Sequence, residues 1–196
     1  MDRHEKRVVA LIGCAHALTH GYLLIFPAAL LLFQKEFSIG YLKLGVISNI
    51  MNLTYGLGAL PGGLIYNRLG PKKLFFLCFL GSSIACILVA ISSSLIFFTL
   101  ALGLLGALGS VYHPMANALI AGKVREYGKA MGIHGAVGNL GLALAPFIAG
   151  ILGSLLGWRY TYVCFALPGI VLAIWACFVD MSPAPSLKET PSLPGC

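Results

Sequence analysis

The chain has 196 residues, of which 59% are hydrophobic and 10% are charged, and its mean hydropathy is +0.91. Water-soluble domains carry roughly 45–50% apolar and about 25% charged residues, so this composition excludes an ordinary soluble domain. The formal net charge of +7 comes from basic residues that lie between apolar runs. We therefore attribute the charge to membrane topology and expect a lipid bilayer, and no nucleic acid, as the partner.

Six apolar stretches are long enough to cross a bilayer, which requires roughly 20 residues of α-helix. We predict an all-α transmembrane domain over residues 1–180 and a proline-rich cytoplasmic linker or disordered tail over residues 181–196. The first span is too long, and too polar in its middle, for a cleaved signal peptide. The predicted spans cover about residues 8–32, 41–66, 74–91, 95–121, 130–154 and 160–179.

The basic residues are distributed unevenly between the two sets of connections. With the N-terminus on the cytoplasmic side, that side carries ten basic residues and the other side only three. Cytoplasmic loops favour Lys and Arg. We therefore predict a multi-pass protein of the inner or plasma membrane with both termini cytoplasmic. The cytoplasmic residues are Arg3, Lys6, Arg7, Arg68, Lys72, Lys73, Lys123, Arg125, Lys129 and Lys188, and the outer ones are Lys35, Lys43 and Arg159.

Two parts of the sequence resemble each other. Residues 59–65 read Ala-Leu-Pro-Gly-Gly-Leu-Ile and residues 145–151 read Ala-Pro-Phe-Ile-Ala-Gly-Ile. The turns that follow also match, with Leu-Gly-Pro-Lys at 69–72 and Leu-Gly-Trp-Arg at 156–159. These turns lie on opposite sides of the predicted membrane. The pattern predicts two three-helix repeats of inverted topology, as in secondary transporters; chance similarity between Gly- and Pro-rich segments is the alternative.

The ionisable side chains deep in the predicted spans are histidines, since no Asp, Glu, Lys or Arg lies there. His16 and His20 are one helical turn apart in span 1, and His113 lies at a similar depth in span 4. Ionisable groups inside a membrane mark substrate or proton pathways, and histidine changes its charge near neutral pH. We predict that these residues and Asn117 line such a pathway. Neutral histidines that satisfy a neighbouring backbone are the alternative.

The sequence predicts no cofactor and no metal site. His16 and His20 have metal-ligand spacing, but no carboxylate or cysteine supplies a third ligand at that depth. Five of the six cysteines lie within spans, where we interpret them as buried thiols. The sequence has no phosphate-binding loop, nucleophile elbow or paired carboxylates. We therefore predict that the protein is not an enzyme, the rival being a membrane enzyme that uses the histidines.

The turn after span 2 carries a motif. Residues 63–72 read Gly-Leu-Ile-Tyr-Asn-Arg-Leu-Gly-Pro-Lys. This resembles the Gly-x-x-x-Asp-Arg-x-Gly-Arg-Arg/Lys signature between helices 2 and 3 of the major facilitator superfamily. The matching positions are Gly63, Arg68, Gly70 and Lys72. Asn67 replaces the family's Asp, and Pro71 replaces a basic residue. The resemblance implies a gating latch on the cytoplasmic side, and the uncharged Asn67 should weaken it.

Three further stretches resemble members of this superfamily. Span 5 is similar to the Gly- and Pro-rich helix 5 motif of its antiporters. Residues 106–114 and 130–139 resemble the fosmidomycin-resistance-like bacterial members. The helix 5 positions for which the resemblance implies a packing or hinge role are Gly138, Gly141, Pro146 and Gly150.

The superfamily resemblance extends to about residue 180 and implies the N-terminal six-helix half of a twelve-helix fold. It further implies transport of a small organic solute by alternating access, as a secondary transporter driven by a proton or solute gradient. The chain would then be a truncated or split gene product, a fragment, or a six-helix protein that pairs with itself or with a C-terminal half. The rival interpretation is a non-transporting remnant or a membrane interaction partner.

Overall fold

A computed structural model of the chain describes residues 1–181, and every regular element among them is an α-helix. The all-α prediction is therefore confirmed, while the predicted tail beyond Met181 lies outside the described residues. The helices in chain order are α1 (Arg3–Ala28), α2 (Leu30–Phe37), α3 (Tyr41–Ala59), α4 (Gly62–Leu69), α5 (Pro71–Ala90), α6 (Leu95–Gly109), α7 (Tyr112–Lys123), α8 (Tyr127–Leu156) and α9 (Trp158–Cys177).

Within the described residues, five helical stretches are long and apolar enough to cross a membrane, and they correspond to predicted spans 1 and 3 to 6. The predicted second span is divided between α3 and α4, because Pro61 lacks the N–H that would continue the helical hydrogen bonds. Its longer part, α3, also carries Asn49 and Asn52, which lower its hydropathy. The five stretches are Arg3–Ala28, Pro71–Ala90, Leu95–Lys123, Tyr127–Leu156 and Trp158–Cys177.

Proline positions explain much of the helix geometry. The predicted fourth span is interrupted at Ser110 and Val111, between α6 and α7. Pro114 then lies in the first turn of α7, where a missing N–H costs least. Pro146 and Pro168 lie inside α8 and α9, where each removes one helical hydrogen bond. The helices of this bundle are therefore broken or weakened at defined positions.

The bundle is assembled from three main helix pairs, namely α1 with α8, α3 with α6 and α5 with α9. Glycines bring two of these pairs into backbone contact. A Cβ atom on Gly141 of α8 would lie 2.3 Å from Ala17 Cα in α1, and one on Gly106 of α6 would lie 2.3 Å from the Met51 carbonyl oxygen in α3. Small residues allow such close approach where hydrophobic burial supplies no driving force between helices.

Helices α5 and α9 begin after glycines with the same backbone conformation. Gly70 has φ 75° and ψ 163°, and Gly157 has φ 88° and ψ 159°. This region of backbone space is essentially restricted to glycine. Among the described residues, these two are the glycines with positive φ, and they occupy the matching turns noted in the sequence.

The second residue of each of these helices binds the far end of the other helix. Lys72 Nζ, in α5, donates to the Cys177 carbonyl oxygen at the end of α9, at 2.6 Å. Arg159 Nη2, in α9, donates to the Ser92 carbonyl oxygen just beyond α5, at 3.0 Å. Cations are favourable at helix C-termini because the carbonyl groups there lack helical partners. The two contacts hold the α5–α9 pair at both of its ends.

Several polar contacts gather at one end of the bundle. The Arg125 backbone N–H donates to Glu5 Oε1 at 2.9 Å, which joins the α7–α8 loop to the start of α1. Lys123 Nζ lies 3.4 Å from Asp180 Oδ2, beyond the end of α9. Asp2 caps α1 by accepting from the backbone N–H groups of Glu5 and His4, and these bonds lower the pKa of its carboxyl. The N-terminus, the α7–α8 loop and the end of α9 therefore meet.

Candidate functional site

Four of the five histidines meet where α1, α7 and α8 pack together. The His16 ring centroid is 4.8 Å from that of His20, 4.9 Å from that of His113 and 4.1 Å from that of His134. The structure thus brings together the three histidines singled out in the sequence and adds a fourth from α8. No local pattern indicates that His134 joins them, because its partners come from other helices.

His16 links α1 to α8 through a hydrogen bond that also fixes its tautomer. Its Nδ1 atom lies 2.9 Å from the His134 carbonyl oxygen. A carbonyl oxygen only accepts, so the neutral His16 ring carries its proton on Nδ1 and has a free lone pair on Nε2. His20 Nε2 lies 3.1 Å from that atom and donates to it. Two imidazole nitrogens therefore face each other along one side of α1.

The His134 ring serves a structural hydrogen bond. Tyr112 is fully buried and donates its hydroxyl proton to the Ile12 carbonyl oxygen. Its oxygen also lies 3.1 Å from His134 Nε2. Because the tyrosine proton is already used, this oxygen accepts and His134 Nε2 donates. The two side chains satisfy each other and the α1 backbone, which is the usual way to accommodate buried polar groups.

The other histidines are more accessible. His134 is only 3% exposed, whereas His16, His20 and His113 are each half-buried. Asn117 lies four residues after His113, on the same face of α7, and its side chain is exposed. The residues predicted for a substrate or proton pathway therefore lie on two neighbouring helices, α1 and α7, and each has a side chain that is at least partly accessible at the surface of the bundle.

The predicted helix 5 positions have different surroundings. A Cβ atom on Gly138 would lie 2.1 Å from His16 Nδ1, so this glycine makes room for the histidine ring. Gly141 contacts the Ala17 backbone, whereas within residues 1–181 no other part of the chain lies within 4 Å of the position that a Cβ atom on Gly150 would take. Packing thus explains the absence of a side chain at the first two glycines and not at Gly150.

The predicted gating loop consists of a short helix and a glycine-capped turn. Gly63, Asn67 and Arg68 all lie in α4 and are exposed. Gly70 ends α4 and precedes α5, and Lys72 lies in the first turn of α5. The motif therefore places exposed polar side chains next to a turn whose backbone conformation requires glycine.

Three of the clustered histidines have their ring nitrogens close enough to share one ligand. One nitrogen from each of His16, His20 and His113 lies within 4.8 Å of the other two. The sequence offers no carboxylate or cysteine beside His16 and His20 as a third ligand. The break between α6 and α7 and the packing of α7 on α1 supply an imidazole instead, which helical periodicity along one segment does not reveal.

Comparison with known proteins identifies the family of the chain. The family model described as Major Facilitator Superfamily matches residues 9–194. The chain belongs to this superfamily. The family assignment made from the turn after the second span is therefore confirmed, and the chain is a helical multi-pass membrane protein of a transporter family. The assignment to the fosmidomycin-resistance-like members stays a prediction.

Two curated relatives show the extent of the similarity within the superfamily. The chain is 25% identical over 143 residues to a probable L-galactonate transporter of Escherichia coli (strain K12), which covers 72% of this chain and 32% of that protein. It is 31% identical over 142 residues to the nitrite extrusion protein of Bacillus subtilis (strain 168), which covers 69% of this chain and 34% of that protein. Both relatives are transport proteins rather than enzymes.

Solved structures of the same fold extend over nearly all of the chain. A bacterial homologue of the human lysosomal transporter Spinster, in an inward-facing and unoccupied conformation, matches with a TM-score of 0.85 and 18% identity, over 97% of this chain and 47% of that one. A D-xylose–proton symporter matches with a TM-score of 0.79 and 13% identity, over 92% and 49%. This chain therefore spans about half the length of these structures and about a third of the two curated relatives.

Proposed function

We propose that the chain is the N-terminal six-helix half of a secondary transporter that moves a small organic solute by alternating access. The match of the superfamily model to residues 9–194 carries this proposal. The curated relatives, named for L-galactonate and nitrite, support a small solute as cargo. The solved D-xylose–proton symporter shares the fold, and a proton or solute gradient supplies the driving force.

The helix contacts support two inverted three-helix repeats, with α3 and α4 together forming the second span and α6 and α7 the fourth. The repeats would then be α1 to α5 and α6 to α9. In these repeats the first span corresponds to the fourth, the second to the fifth and the third to the sixth. The contact between α1 and α8 therefore corresponds to the contact between α6 and α3, and the contact between α5 and α9 corresponds to itself. The same correspondence relates the Lys72 contact at the end of α9 to the Arg159 contact at the end of α5. Chance similarity between two glycine-rich segments does not account for paired contacts of this kind.

We place the solute or proton pathway along the half-buried histidines of α1 and α7. His16, His20 and His113 combine titratable rings with solvent access, and Asn117 adds an exposed amide beside them. Neutral imidazoles and an amide offer both donors and acceptors. This set suits a polar or anionic solute.

The turn between α4 and α5 would act as the cytoplasmic gate. Asn67 and Arg68 are exposed in α4, where a second half of the transporter could contact them. Lys72 is already bound to the end of α9. The gate would therefore consist of an exposed polar surface beside a fixed helix start, and the missing charge at Asn67 would weaken its closed state.

We further propose that a C-terminal half, or a second copy of the chain, covers exposed residues of α3 and α8. Large apolar residues are exposed there, among them Leu53 at 59%, Leu57 at 57% and Leu140 at 57%. Polar residues lie between them, including the exposed Asn52 and Asn139. A face that mixes apolar and amide groups is better suited to another protein surface than to lipid alone.

The end contacts support the predicted orientation. The N-terminus, the α7–α8 loop and the end of α9 meet at one end of the bundle, and Lys72 brings the turn between α4 and α5 to the same end. Together these segments carry nine of the thirteen basic residues, namely Arg3, Lys6, Arg7, Arg68, Lys72, Lys73, Lys123, Arg125 and Lys129. Arg159, predicted to be on the other side, pairs with Glu36 at 2.8 Å near the opposite helix ends. We propose that the basic end is cytoplasmic in the inner or plasma membrane.

Solute flux in proteoliposomes tests the proposal. The chain is reconstituted alone and together with the segment that follows it in its genome, and uptake of candidate sugar acids is measured with and without an imposed proton gradient. We expect saturable, gradient-dependent uptake, and reduced uptake for H16A, H20A and H113A, with H4A as the control. Uptake that is absent from both preparations would favour the non-transporting remnant or interaction partner. Unchanged uptake in all three variants would contradict the placement of the pathway.

A further inference from the structure

We propose that His16, His20 and His113 form a binding site for a divalent transition-metal ion of the zinc class. One ring nitrogen from each histidine lies within 4.8 Å of the other two. Two of the ligands come from one face of α1 and the third from α7, so the ion would join two helices. The ion would occupy residues of the pathway proposed above, but its binding requires only the folded chain and is measured without solute flux.

The spacing of the nitrogens is close to that of a tetrahedral site. Zinc–nitrogen bonds of about 2.0–2.1 Å place tetrahedral ligand atoms roughly 3.3 Å apart. His16 Nε2 and His20 Nε2 are 3.1 Å apart. The three ring atoms all lie within 4.8 Å of one another, so none of them has to approach another by more than roughly 1.5 Å to reach the tetrahedral spacing.

His16 already has the tautomer and the support of a metal ligand. Its Nδ1–H group donates to the His134 carbonyl oxygen at 2.9 Å, which leaves the Nε2 lone pair free. Ligand histidines commonly donate their second ring N–H to a carbonyl or carboxylate, which fixes the ring and raises its basicity. The stacked His134 ring and the close contact with Gly138 further restrict the His16 ring. His16 is therefore held in a ligand orientation before the ion binds.

Binding of the ion requires one change of proton position. Without metal, the His20 Nε2 proton lies between the two facing nitrogens. The neutral His20 ring can carry this proton on Nδ1 instead, and both Nε2 lone pairs then point at the same place. The ion replaces the shared proton, and no net proton needs to be released.

The ligand set indicates which ions fit. The group contains only imidazole nitrogens, which suit zinc, copper and nickel, whereas magnesium and calcium prefer oxygen ligands. The three side chains are half-buried, so water can reach a fourth coordination position, as in zinc sites with three protein ligands. His134 does not contribute its Nε2 atom because that atom donates to Tyr112.

Direct metal binding tests the proposal. The full chain is purified through a tag without histidine, treated with a chelator and titrated with Co²⁺, whose visible absorption reports tetrahedral coordination, followed by competition with Zn²⁺ and Mg²⁺. We expect one Zn²⁺ per chain and no competition by Mg²⁺. Loss of a single ligand in H16A, H20A or H113A should weaken Zn²⁺ binding by more than the roughly 10–100-fold that an outer partner contributes.

Two further variants separate ligation from folding. H4A removes a histidine outside the cluster and should leave the affinity for Zn²⁺ unchanged. H113C replaces the imidazole with a thiolate, which is also a ligand of zinc-class ions, and should retain Co²⁺ binding with an added sulfur-to-metal absorption band. The proposal is overturned if the unaltered chain binds no stoichiometric Zn²⁺, or if the alanine variants bind as tightly as H4A. Those results would leave the cluster as a hydrogen-bonded network, and solute flux would remain an independent measurement.

Discussion

The close contact between α1 and α8 makes a specific prediction for Gly141→Ala. The added Cβ atom would lie 2.3 Å from Ala17 Cα and 2.6 Å from the Ala17 carbonyl oxygen. These atoms belong to the backbone of α1, so no rotation of a side chain relieves the overlap. The two helices must move apart along their interface, which is the largest in the bundle.

The magnitude follows from two opposing effects. Overpacking of a tight core costs typically about 1–3 kcal/mol, and the rigid backbone neighbour places this site near the upper end. Replacement of a helical glycine by alanine returns roughly 0.8–1.0 kcal/mol of helix propensity. We therefore expect Gly141→Ala to lower the free energy of unfolding by about 1–2 kcal/mol. For a chain of this size, that corresponds to a decrease of roughly 2–8 °C in the unfolding temperature.

Gly150→Ala on the same helix is the matched control. Among the described residues, no other part of the chain lies within 4 Å of the position that a Cβ atom at Gly150 would take, so alanine there should be neutral or stabilising. The unfolding temperature of both variants is measured in detergent by reaction with a thiol-specific fluorophore, because Cys78 and Cys86 are buried and become reactive on unfolding. Cys14 and Cys177 are exposed, so they react in the folded protein and contribute to the baseline fluorescence. Equal unfolding temperatures for the two variants would refute the assignment of backbone contact.

Three other changes have defined outcomes. Gly157→Ala should lower the free energy of unfolding by about 1–3 kcal/mol, because the backbone conformation of Gly157 is essentially restricted to glycine. Gly63→Ala in α4 is the control and should not destabilise the chain, because no described neighbour lies within 4 Å of the added Cβ atom. Equal decreases in unfolding temperature for the two variants would contradict this prediction. Asn67→Asp should slow or rebalance the transport cycle of the complete protein, and an unchanged flux would indicate that the gate is inactive. Glu36→Gln should lower the free energy of unfolding by about 0.2–1 kcal/mol, because it removes the half-exposed salt bridge between Glu36 and Arg159. Its difference from the parent in thermal unfolding should vanish in about 1 M salt, and a persistent difference would exclude an ionic cause.

Local sequence patterns predicted the membrane class and most of the helices. Long apolar runs determine spans because every backbone polar group must be satisfied within the bilayer. The turn at residues 63–72 identified the superfamily. The breaks at Pro61 and at Ser110 were less predictable, since proline favours a kink without determining whether a helix continues past it.

Only part of the candidate site could be read from the sequence. Helical periodicity places His16 and His20 on one face, and equal depth brings His113 near them. The participation of His134 depends on the register between α1 and α8, which Gly138 and Gly141 set by close contact. Contacts of this kind join residues that are far apart in the chain, and no local pattern encodes them.

The sequence by itself determined that this chain is a helical membrane protein of a transporter superfamily, because apolar length, charge asymmetry and a short turn motif are local properties. The tertiary structure alone decided which imidazoles meet and which ring nitrogen of His16, His20 and His134 carries a proton. It also decided that Lys72 and Arg159 each bind the far end of the opposite helix. These features depend on how separate helices pack, and packing is a property of the whole chain rather than of any segment.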